Sequence, residues 1–434
     1  MPPRSLGAFL KAARTALTAP ASQRPRPLTI VVGNESADLD SLCSAILLAY
    51  LRSHTPSLNA GLHVPLCNLE RRDLALRPEL QAALSGSRSG TESGGQVVSL
   101  DSLITLTDLP ENLAAADARW LLVDHNALTG DLAKRFQKSV VGCIDHHVDE
   151  GVVPQLDETA AGGAPRIIET CGSCASLVVD YAKDTWRDLA EREPDEATDR
   201  ILARLALAPI LIDTTNLQSV NKTVEVDRQA ASVAESILTA ASTGTREAAV
   251  TAFNPAYTAD LMYDRAAFFG ELSHLKNDLS SFSYGEILRK DYKQWSERTS
   301  SHTPMTCGIS SVAQGLGYLL EKIGDREALL DALQAHARER KLDLAAIMTV
   351  QHDEGVFVRQ LLLWAYTPEA AKAAKSFIET NREKLDLKPW GHGQLDYTGS
   401  EAEAEGKWRT CWTHGTKFSR KQVAPLVRDA MKSV

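Results

Sequence analysis

Acidic and imidazole side chains follow three short apolar segments of this sequence, at the point where each segment ends. They belong to Asp38, Asp40, Asp124, His125, Asp145, His146 and His147. A further carboxylate, Asp213, closes a fourth apolar run. One acidic residue after a strand is ordinarily a helix cap or a solvated turn. Several carboxylates in one crevice repel one another, and bound divalent cations remove that repulsion. The pattern therefore predicts a metal site.

The elements around these residues indicate the fold class. Short β-rich runs over 27–34, 119–126 and 139–147 are typical of buried parallel strands. Helical patterns separate them, over 41–51, around Leu80, over 132–136 and over 175–189. We therefore predict an α/β fold: an N-terminal domain with a mostly parallel sheet flanked by helices, followed by a smaller C-terminal α+β domain. Ligands of such a sheet gather beyond the carboxyl ends of its strands.

Changes in composition divide the chain further. We expect an N-terminal arm over 1–27, a metal-binding domain over 28–240, a linker over 241–257 and the α+β domain over 258–434. In the last of these, helical patterns cover 263–279, 313–323 and 326–340, and strand-like runs cover 344–350, 355–364 and 408–412. A Gly/Ser-rich insertion over 84–96 is typical of a loop and carries no chemistry.

The composition is that of a globular protein. The chain has 434 residues, of which 44% are apolar and 24% charged, and this excludes collagen-like and disordered classes. No run of about 18 apolar residues is present, so no membrane span is expected. The seven Cys are scattered, which favours reduced thiols in a cytosol-like compartment. Cys171 and Cys174 form a CxxC, but a turn and helix start capped by Ser173 explains it better than a redox or zinc site.

The N-terminal arm has two interpretations. Its five basic residues, the lack of acids and the near-helical apolar spacing fit a mitochondrial transit peptide. They also fit an amphipathic helix that docks on the body of the protein, followed by a Pro-rich connection. We favour the docked helix and a cytoplasmic location, and targeting by the arm stays open.

Four ordered motifs carry a family resemblance. They are Gly33-Asn-Glu-Ser-Ala-Asp-Leu-Asp-Ser41, Val-Asp-His-Asn at 123–126, Ile-Asp-His-His at 144–147 and Ile-Asp-Thr-Thr-Asn at 212–216. In order, spacing and strand context this series resembles the DHH phosphoesterase superfamily. The Gly-Asn-Glu-Ser opening and Phe418-Ser-Arg-Lys-Gln-Val-Ala-Pro425 are most similar to cytosolic exopolyphosphatases of the fungal type, which are relatives of family II pyrophosphatases and prune-like proteins.

The resemblance implies a centre of two divalent cations that Asp124 bridges. Asn34 and Asp38 would hold one ion, and Asp40, His146 and Asp213 the other. Together the ions would activate a hydroxide aimed at the terminal phosphorus. His147 would be catalytic and contact the substrate, while His125 and Asp145 would orient the ligands.

Asn34 bears on the identity of the metal. The pyrophosphatase branch has His at this motif position. An amide oxygen is a harder ligand than an imidazole nitrogen, so we expect Mg²⁺, with Mn²⁺ or Co²⁺ also able to support turnover. The same difference weighs against a plain pyrophosphatase.

The implied substrate, inorganic polyphosphate, is a dense polyanion. The chain carries 47 Lys and Arg against 56 Asp and Glu, so cations must be concentrated locally. The resemblance nominates Lys293, Arg420 and Lys421 as a phosphate clamp, and Arg71, Arg72 and Arg77 are further candidates in the first half. A solvated surface charge is the alternative for each of them.

We therefore expect an exopolyphosphatase that releases terminal orthophosphate, acting as a monomer without nucleic acid or membrane partners. The alternatives are a pyrophosphatase and a prune-like enzyme for short polyphosphates or nucleotides. A nuclease of the superfamily would carry a Gly-Gly-His signature, and the acidic balance also disfavours nucleic acid. A catalytically inactive scaffold would have lost metal ligands, and every ligand position is filled here.

Overall fold

The computed structural model describes residues 2–55, 61–85, 98–155, 163–252, 263–323, 325–353 and 356–434. The chain divides into two compact units, residues 1–276 and 277–434. From residue 86 onward, the expected Gly/Ser-rich loop lies outside the described residues. No helix within the described ranges is long and apolar enough to cross a membrane.

A five-stranded sheet forms the centre of the first unit, with the order β2-β1-β3-β4-β5. Its strands are β1 (Leu28–Val32), β2 (His63–Leu66), β3 (Ala118–Val123), β4 (Val140–Asp145) and β5 (Arg166–Ile168). All of these pairings are parallel, which confirms the mostly parallel sheet. The carboxyl ends of β1, β3 and β4 therefore share one edge, and the motif residues follow there.

Helices cover both faces of this sheet. They are α1 (Leu6–Thr18), α2 (Leu39–Ser53), α3 (Pro78–Leu84), α4 (Gly130–Phe136), α5 (Cys174–Arg192), α6 (Glu196–Asp213), α7 (Glu225–Ala252) and α8 (Arg265–Asn277). In β3, Trp120 packs with Phe136 in one core, whereas Leu121 packs in the core formed with α2, α5 and α6. Burial of both faces is the reason why the central strands appear as continuous apolar runs.

The N-terminal arm contains a docked amphipathic helix. One stripe of α1 is fully buried, formed by Leu6, Phe9, Leu10, Ala13 and Leu17. Just before the helix, Arg4 Nη2 lies 2.6 Å from Asp199 Oδ2. The helix is thus part of the hydrophobic core of the first unit.

The division between the units differs from the expected linker over 241–257. The helix α7 continues to Ala252, so residues 241–252 are helical. Phe268 and Leu272 of α8 then pack in the core of the first unit. For this reason the boundary falls after Lys276.

The second unit contains a mixed sheet with the strand order β11-β12-β10-β8-β7-β6. Its strands are β6 (Tyr292–Arg298), β7 (Pro304–Val312), β8 (Leu344–Thr349), β9 (Gln351–Asp353, paired with β10), β10 (Val356–Ala365), β11 (Lys388–Pro389) and β12 (Trp408–His414). β7 and β8 pair in parallel, and the other pairs are antiparallel.

Helices of the second unit lie on both faces of this sheet. They are α9 (Tyr284–Lys290), α10 (Leu316–Ile323), α11 (Arg326–Arg340), α12 (Pro368–Asn381), α13 (Ser400–Ala404) and α14 (Arg420–Lys432). One apolar cluster joins the sheet to α12 and α14, and another joins it to α9, α10 and α11. The expected α+β domain is confirmed.

Candidate metal centre

Asp124 lies at the centre of the motif residues. It directly follows β3 and has a φ of 61°, a left-handed conformation that few non-glycine residues adopt. Its buried Oδ2 accepts hydrogen bonds of 2.7 Å from Asn34 Nδ2 and 2.6 Å from Ser41 Oγ. These contacts fix the direction of the carboxylate, and residues held in such backbone conformations cluster at functional sites.

Two histidines approach the other oxygen of Asp124. His146 Nε2 lies 3.2 Å from Asp124 Oδ1, and His147 Nδ1 lies 3.7 Å from it. The three side chains offer ligand atoms within 4.8 Å of one another, as a metal ion requires. The Nδ1 of His146 lies 3.0 Å from the carbonyl oxygen of Cys171. Because a carbonyl only accepts, Nδ1 carries the proton and Nε2 of a neutral ring is left for a metal.

Electrostatics support a cation at this place. Burial alone would lower the pKa of His146, but hydrogen bonds to Asp124 and Cys171 and the charge of Asp40 raise it to about 12. Burial and the charge of Asp38 raise the pKa of Asp124. The imidazole and the carboxylate thus favour a positive charge between them, a place that a divalent cation fits.

Asp40 is a buried carboxylate with two connections. It accepts hydrogen bonds from the backbone N–H groups of Cys174 and Ala175, at 2.7 Å and 2.9 Å, and so caps α5. Its Oδ2 also lies 4.0 Å from His146 Nε2. Burial and the charge of Asp124 raise the pKa of Asp40 to about 6. The cap predicted for Ser173 is therefore supplied by α2, and Ser173 Oγ instead donates to Asp40.

Asp213 is the last residue of α6, where the helix dipole disfavours a carboxylate. Burial and the charge of Asp40 raise its pKa to about 7. The next turn contains Thr215, Asn216 and Leu217, all with positive φ. An acid in such an unfavourable place, repelled by the charge of Asp40, fits the donor set of a divalent cation.

The predicted ligands of the first ion are arranged differently. The amide nitrogen of Asn34 faces Asp124, while its oxygen accepts a 2.9 Å hydrogen bond from the N–H of Ser36. The amide would have to rotate by half a turn to present its oxygen to a metal. Asp38 caps α2 by accepting a 3.0 Å hydrogen bond from the N–H of Ser41.

Asp145 holds the ring of His147. Its Oδ1 lies 2.8 Å from His147 Nδ1, and its Oδ2 accepts a 2.6 Å hydrogen bond from Asn126 Nδ2. Although Asp145 is buried, its hydrogen bonds to His147 and Asn126 lower its pKa to about 2. By contrast, the Nδ1 of His125 lies 2.9 Å from the carbonyl oxygen of Val123, and His125 is outside the metal-binding group.

Two arginines of the first unit that were predicted to bind substrate, Arg71 and Arg77, form hydrogen bonds within the fold. The buried guanidinium of Arg77 donates at 2.8 Å to the carbonyl oxygens of Ala37 and Ser36. Arg71 pairs with Asp108 at 2.6 Å. Both side chains thus form hydrogen bonds within the first unit. Arg72 is exposed.

The three basic residues of the second unit that were predicted to bind phosphate lie on two elements, α14 and β6. Arg420, in the first turn, is held by Asp291 at 2.7 Å. Lys421 follows it and is exposed, and Lys293 lies on β6 in register with Ile309 of β7.

Several contributors were missed from the sequence. They are Ser41, Asn126, Ser173, Asp227 and the carbonyl of Cys171. Ser41 and Asn126 belong to the first two motifs, and their place in those motifs is the sequence signal for their role. The helix start that the CxxC segment predicts is present, because α5 begins at Cys174. The thiols of this segment are buried and unpaired, and burial raises the pKa of both.

Comparisons with known proteins identify the family of this chain. A family model described as "DHH family, N-terminal domain" matches residues 29–210, and one described as "DHHA2 domain" matches residues 270–430. The Schizosaccharomyces pombe protein named "Putative exopolyphosphatase" is 32% identical over 408 residues, covering 94% of this chain and 91% of that protein. The Homo sapiens protein named "Exopolyphosphatase PRUNE1" is 25% identical over 435 residues, covering 98% of this chain and 79% of that protein.

A solved structure is similar in fold. It is entitled "Crystal structure of Methanococcus jannaschii putative family II inorganic pyrophosphatase" and aligns with a TM-score of 0.51 at 18% identity, covering 93% of this chain and 99% of the other. At this identity the likeness concerns the fold alone.

Proposed function

The chain belongs to the DHH family, and from this premise we propose that it is a metal-dependent exopolyphosphatase. It would release terminal orthophosphate from linear inorganic polyphosphate. The convergence of Asp124, His146 and His147 on one point, 4.8 Å or less apart, is the observation that carries the proposal. The names of two relatives, from Schizosaccharomyces pombe and Homo sapiens, support the substrate.

We propose that two divalent cations are held by Asn34, Asp38, Asp40, Asp124, His146 and Asp213. Carboxylate and amide oxygens dominate this set, which favours Mg²⁺, with Mn²⁺ as an alternative. When bound, such a pair lowers the pKa of a water and neutralises phosphoryl charge. The carboxylate of Asp124 is held in place for this role by the 2.6 Å hydrogen bond from Ser41 Oγ, a bond that does not depend on how the Asn34 amide is turned.

His147 would contact the substrate. Asp145 accepts from its Nδ1, which fixes the ring and leaves Nε2 as the nitrogen available to a phosphoryl oxygen. The His147 side chain is 27% exposed, whereas that of His146 is 10% exposed, so His147 is the more accessible of the two. A hydrogen bond or proton donated from Nε2 would stabilise charge on the oxygen of the leaving phosphate.

Lys293, Arg420 and Lys421 would bind phosphates of the substrate. Asp291 accepts from Arg420 through both its carboxylate and its backbone carbonyl, so the guanidinium is held in one orientation. Arginine binds phosphate bidentately, whereas lysine acts as a point charge. Arg71 and Arg77 of the first unit would join this set only by exchanging their bonds to Asp108, Ala37 and Ser36 for bonds to the substrate. We also propose that the protein is a monomer in a reducing, cytoplasmic location. The location is inferred from the seven cysteines, all of which are free thiols.

Orthophosphate release by the purified chain tests the proposal. With Mg²⁺, long-chain polyphosphate and tripolyphosphate should release orthophosphate rapidly and pyrophosphate slowly. Asp124→Asn should abolish release, while Asp131→Asn, which changes a largely exposed carboxylate, should not. Preference for pyrophosphate would indicate the pyrophosphatase alternative. Full activity of Asp124→Asn would contradict the proposed centre.

A further inference from the structure

Asp227 is a fully buried carboxylate in the first turn of α7. Its oxygens accept hydrogen bonds from the N–H of Gly172 at 2.9 Å and of Ser173 at 3.3 Å, and from Ser176 Oγ at 2.6 Å. A further bond of 2.9 Å comes from the N–H of Val224. Within the described ranges, no Lys or Arg side chain pairs with it. A buried charge without a cation is costly unless hydrogen bonds satisfy it, and here the backbone supplies them.

The segment that Asp227 holds touches two of the proposed metal ligands. Ser173 Oγ donates a 2.8 Å hydrogen bond to Asp40. The carbonyl oxygen of Cys171 lies 3.0 Å from His146 Nδ1. Residues 171–173 are thus fixed from one side by Asp227 and contact Asp40 and His146 on the other.

Gly172 is required for this approach. A Cβ at this position would lie 2.4 Å from Thr214 Cγ2 and 2.9 Å from Asp227 Oδ2. Such distances are shorter than real contacts, so the close approach of α7 and of the turn after α6 excludes a side chain. Thr214 directly follows Asp213, and the same glycine therefore also packs against the end of α6.

We propose that Asp227 is a positioning residue that sets the metal affinity of the first unit through residues 171–173. The inference rests on the proposed function only in taking Asp40 and His146 as ligands. A purely structural role is the alternative, since the bond from Val224 also caps α7. In that case the loss of Asp227 would lower stability and leave the affinity for metal unchanged.

Direct binding of Mn²⁺ to the full chain, followed by the electron paramagnetic resonance signal of free Mn²⁺, separates the two roles. We expect Asp227→Ala to weaken Mn²⁺ binding by about 10- to 100-fold, the usual effect of removing a group that orients a ligand. Asp195→Ala is the matched control, because Asp195 caps α6 by accepting from the N–H of Thr198 at 3.0 Å, and it should lower stability without changing Mn²⁺ affinity. Circular dichroism verifies that each variant is folded.

Ser173→Ala keeps the test open if Asp227→Ala does not fold, since it removes only the hydroxyl that bonds to Asp40. Like Asp227→Ala, Ser173→Ala should weaken Mn²⁺ binding. Asp227→Asn can also be combined with Ser173→Ala. The losses of Mn²⁺ affinity caused by the two substitutions should be less than additive in the double variant, because both act through residues 171–173. Wild-type Mn²⁺ affinity in a folded Asp227→Ala or in Ser173→Ala would overturn the proposal. Since these titrations contain no polyphosphate, failure of the substrate assignment would not affect them.

Discussion

The carboxylate of Asp40 in α2 accepts a 2.7 Å hydrogen bond from the backbone N–H of Cys174, the first residue of α5. One buried acid therefore satisfies the start of another helix and faces His146. The packing of these helices and the proposed metal centre depend on the same group, so events at the centre should be transmitted to the stability of the first unit.

Removal of metal should accordingly destabilise the protein. Without a cation, only hydrogen bonds and the neighbouring histidines offset the burial of Asp40 and Asp124 and their mutual repulsion. We expect chelation by EDTA to lower the melting temperature and excess Mn²⁺ to restore it. At a Mn²⁺ concentration 100 times the dissociation constant, each site should add about 2.7 kcal/mol to the free energy of unfolding. Differential scanning calorimetry measures this. Asp124→Asn should lose the response to Mn²⁺, and a wild-type melting temperature unaffected by either reagent would contradict a metal centre.

Arg77 should stabilise the loop that carries the first motif. Ala37 has a φ of 45°, and Arg77 donates to its carbonyl oxygen and to that of Ser36. Lysine cannot reproduce this forked geometry. We expect Arg77→Lys to lower the free energy of unfolding by about 1–3 kcal/mol, measured by urea denaturation. Arg72, which is exposed, supplies the control. Arg72→Lys should change the free energy of unfolding by less than about 0.5 kcal/mol. Equal effects of the two variants would refute this role.

The helix α1 should be necessary for stability. Leu10 is fully buried against the core of the first unit, whereas the adjacent Lys11 is exposed. Leu10→Ala should cost about 2–5 kcal/mol of unfolding free energy through the lost contacts and the cavity. Lys11→Ala should be nearly neutral. If Leu10→Ala unfolds at the same urea concentration as the wild type, α1 does not contribute as its burial indicates.

The sequence predicted β1, β3, β4, β8, β10 and β12, but not β2 and β7, although these two strands are also largely buried. β1, β3 and β4 form continuous apolar runs, and their polar residues follow at the shared edge. β6 escaped notice because it is an edge strand whose side chains are half-buried or exposed. β5 is only three residues long and half-buried. Short or polar strands are defined by their backbone partners, which leave little trace in local composition.

The candidate site shows the same division. The sequence was sufficient to predict that Asp124, His146 and His147 lie close together, because the ends of parallel strands share one edge of the sheet. The roles of Arg77 and Asp227 could not be predicted in this way, since both residues act through hydrogen bonds to the backbone of distant loops. A backbone partner has no residue type, so no spacing rule reveals it. The orientation of the Asn34 amide depends likewise on Ser36, and residue identity alone does not determine it.

Buried histidines of the second unit should make stability depend on pH. Burial and a nearby arginine, Arg340 for His336 and Arg359 for His414, lower the pKa of each histidine from 6.5 to about 4. Because the folded-state pKa lies below the unfolded one, protonation favours unfolding. The stability is complete above about pH 6.5 and is lost as the pH falls toward 4, by up to about 3 kcal/mol for each group.

Urea denaturation of wild type and His336→Phe at pH 7, 6 and 5 isolates one contribution. Phenylalanine can keep the edge-on contact that His336 makes with Tyr292, whose ring centroid is 4.9 Å away. It also removes the unsatisfied Nε2. The difference in unfolding free energy between variant and wild type should therefore grow in favour of the variant as the pH falls. A difference that stays constant from pH 7 to 5 would mean that His336 is protonated as readily in the folded chain as in the unfolded one.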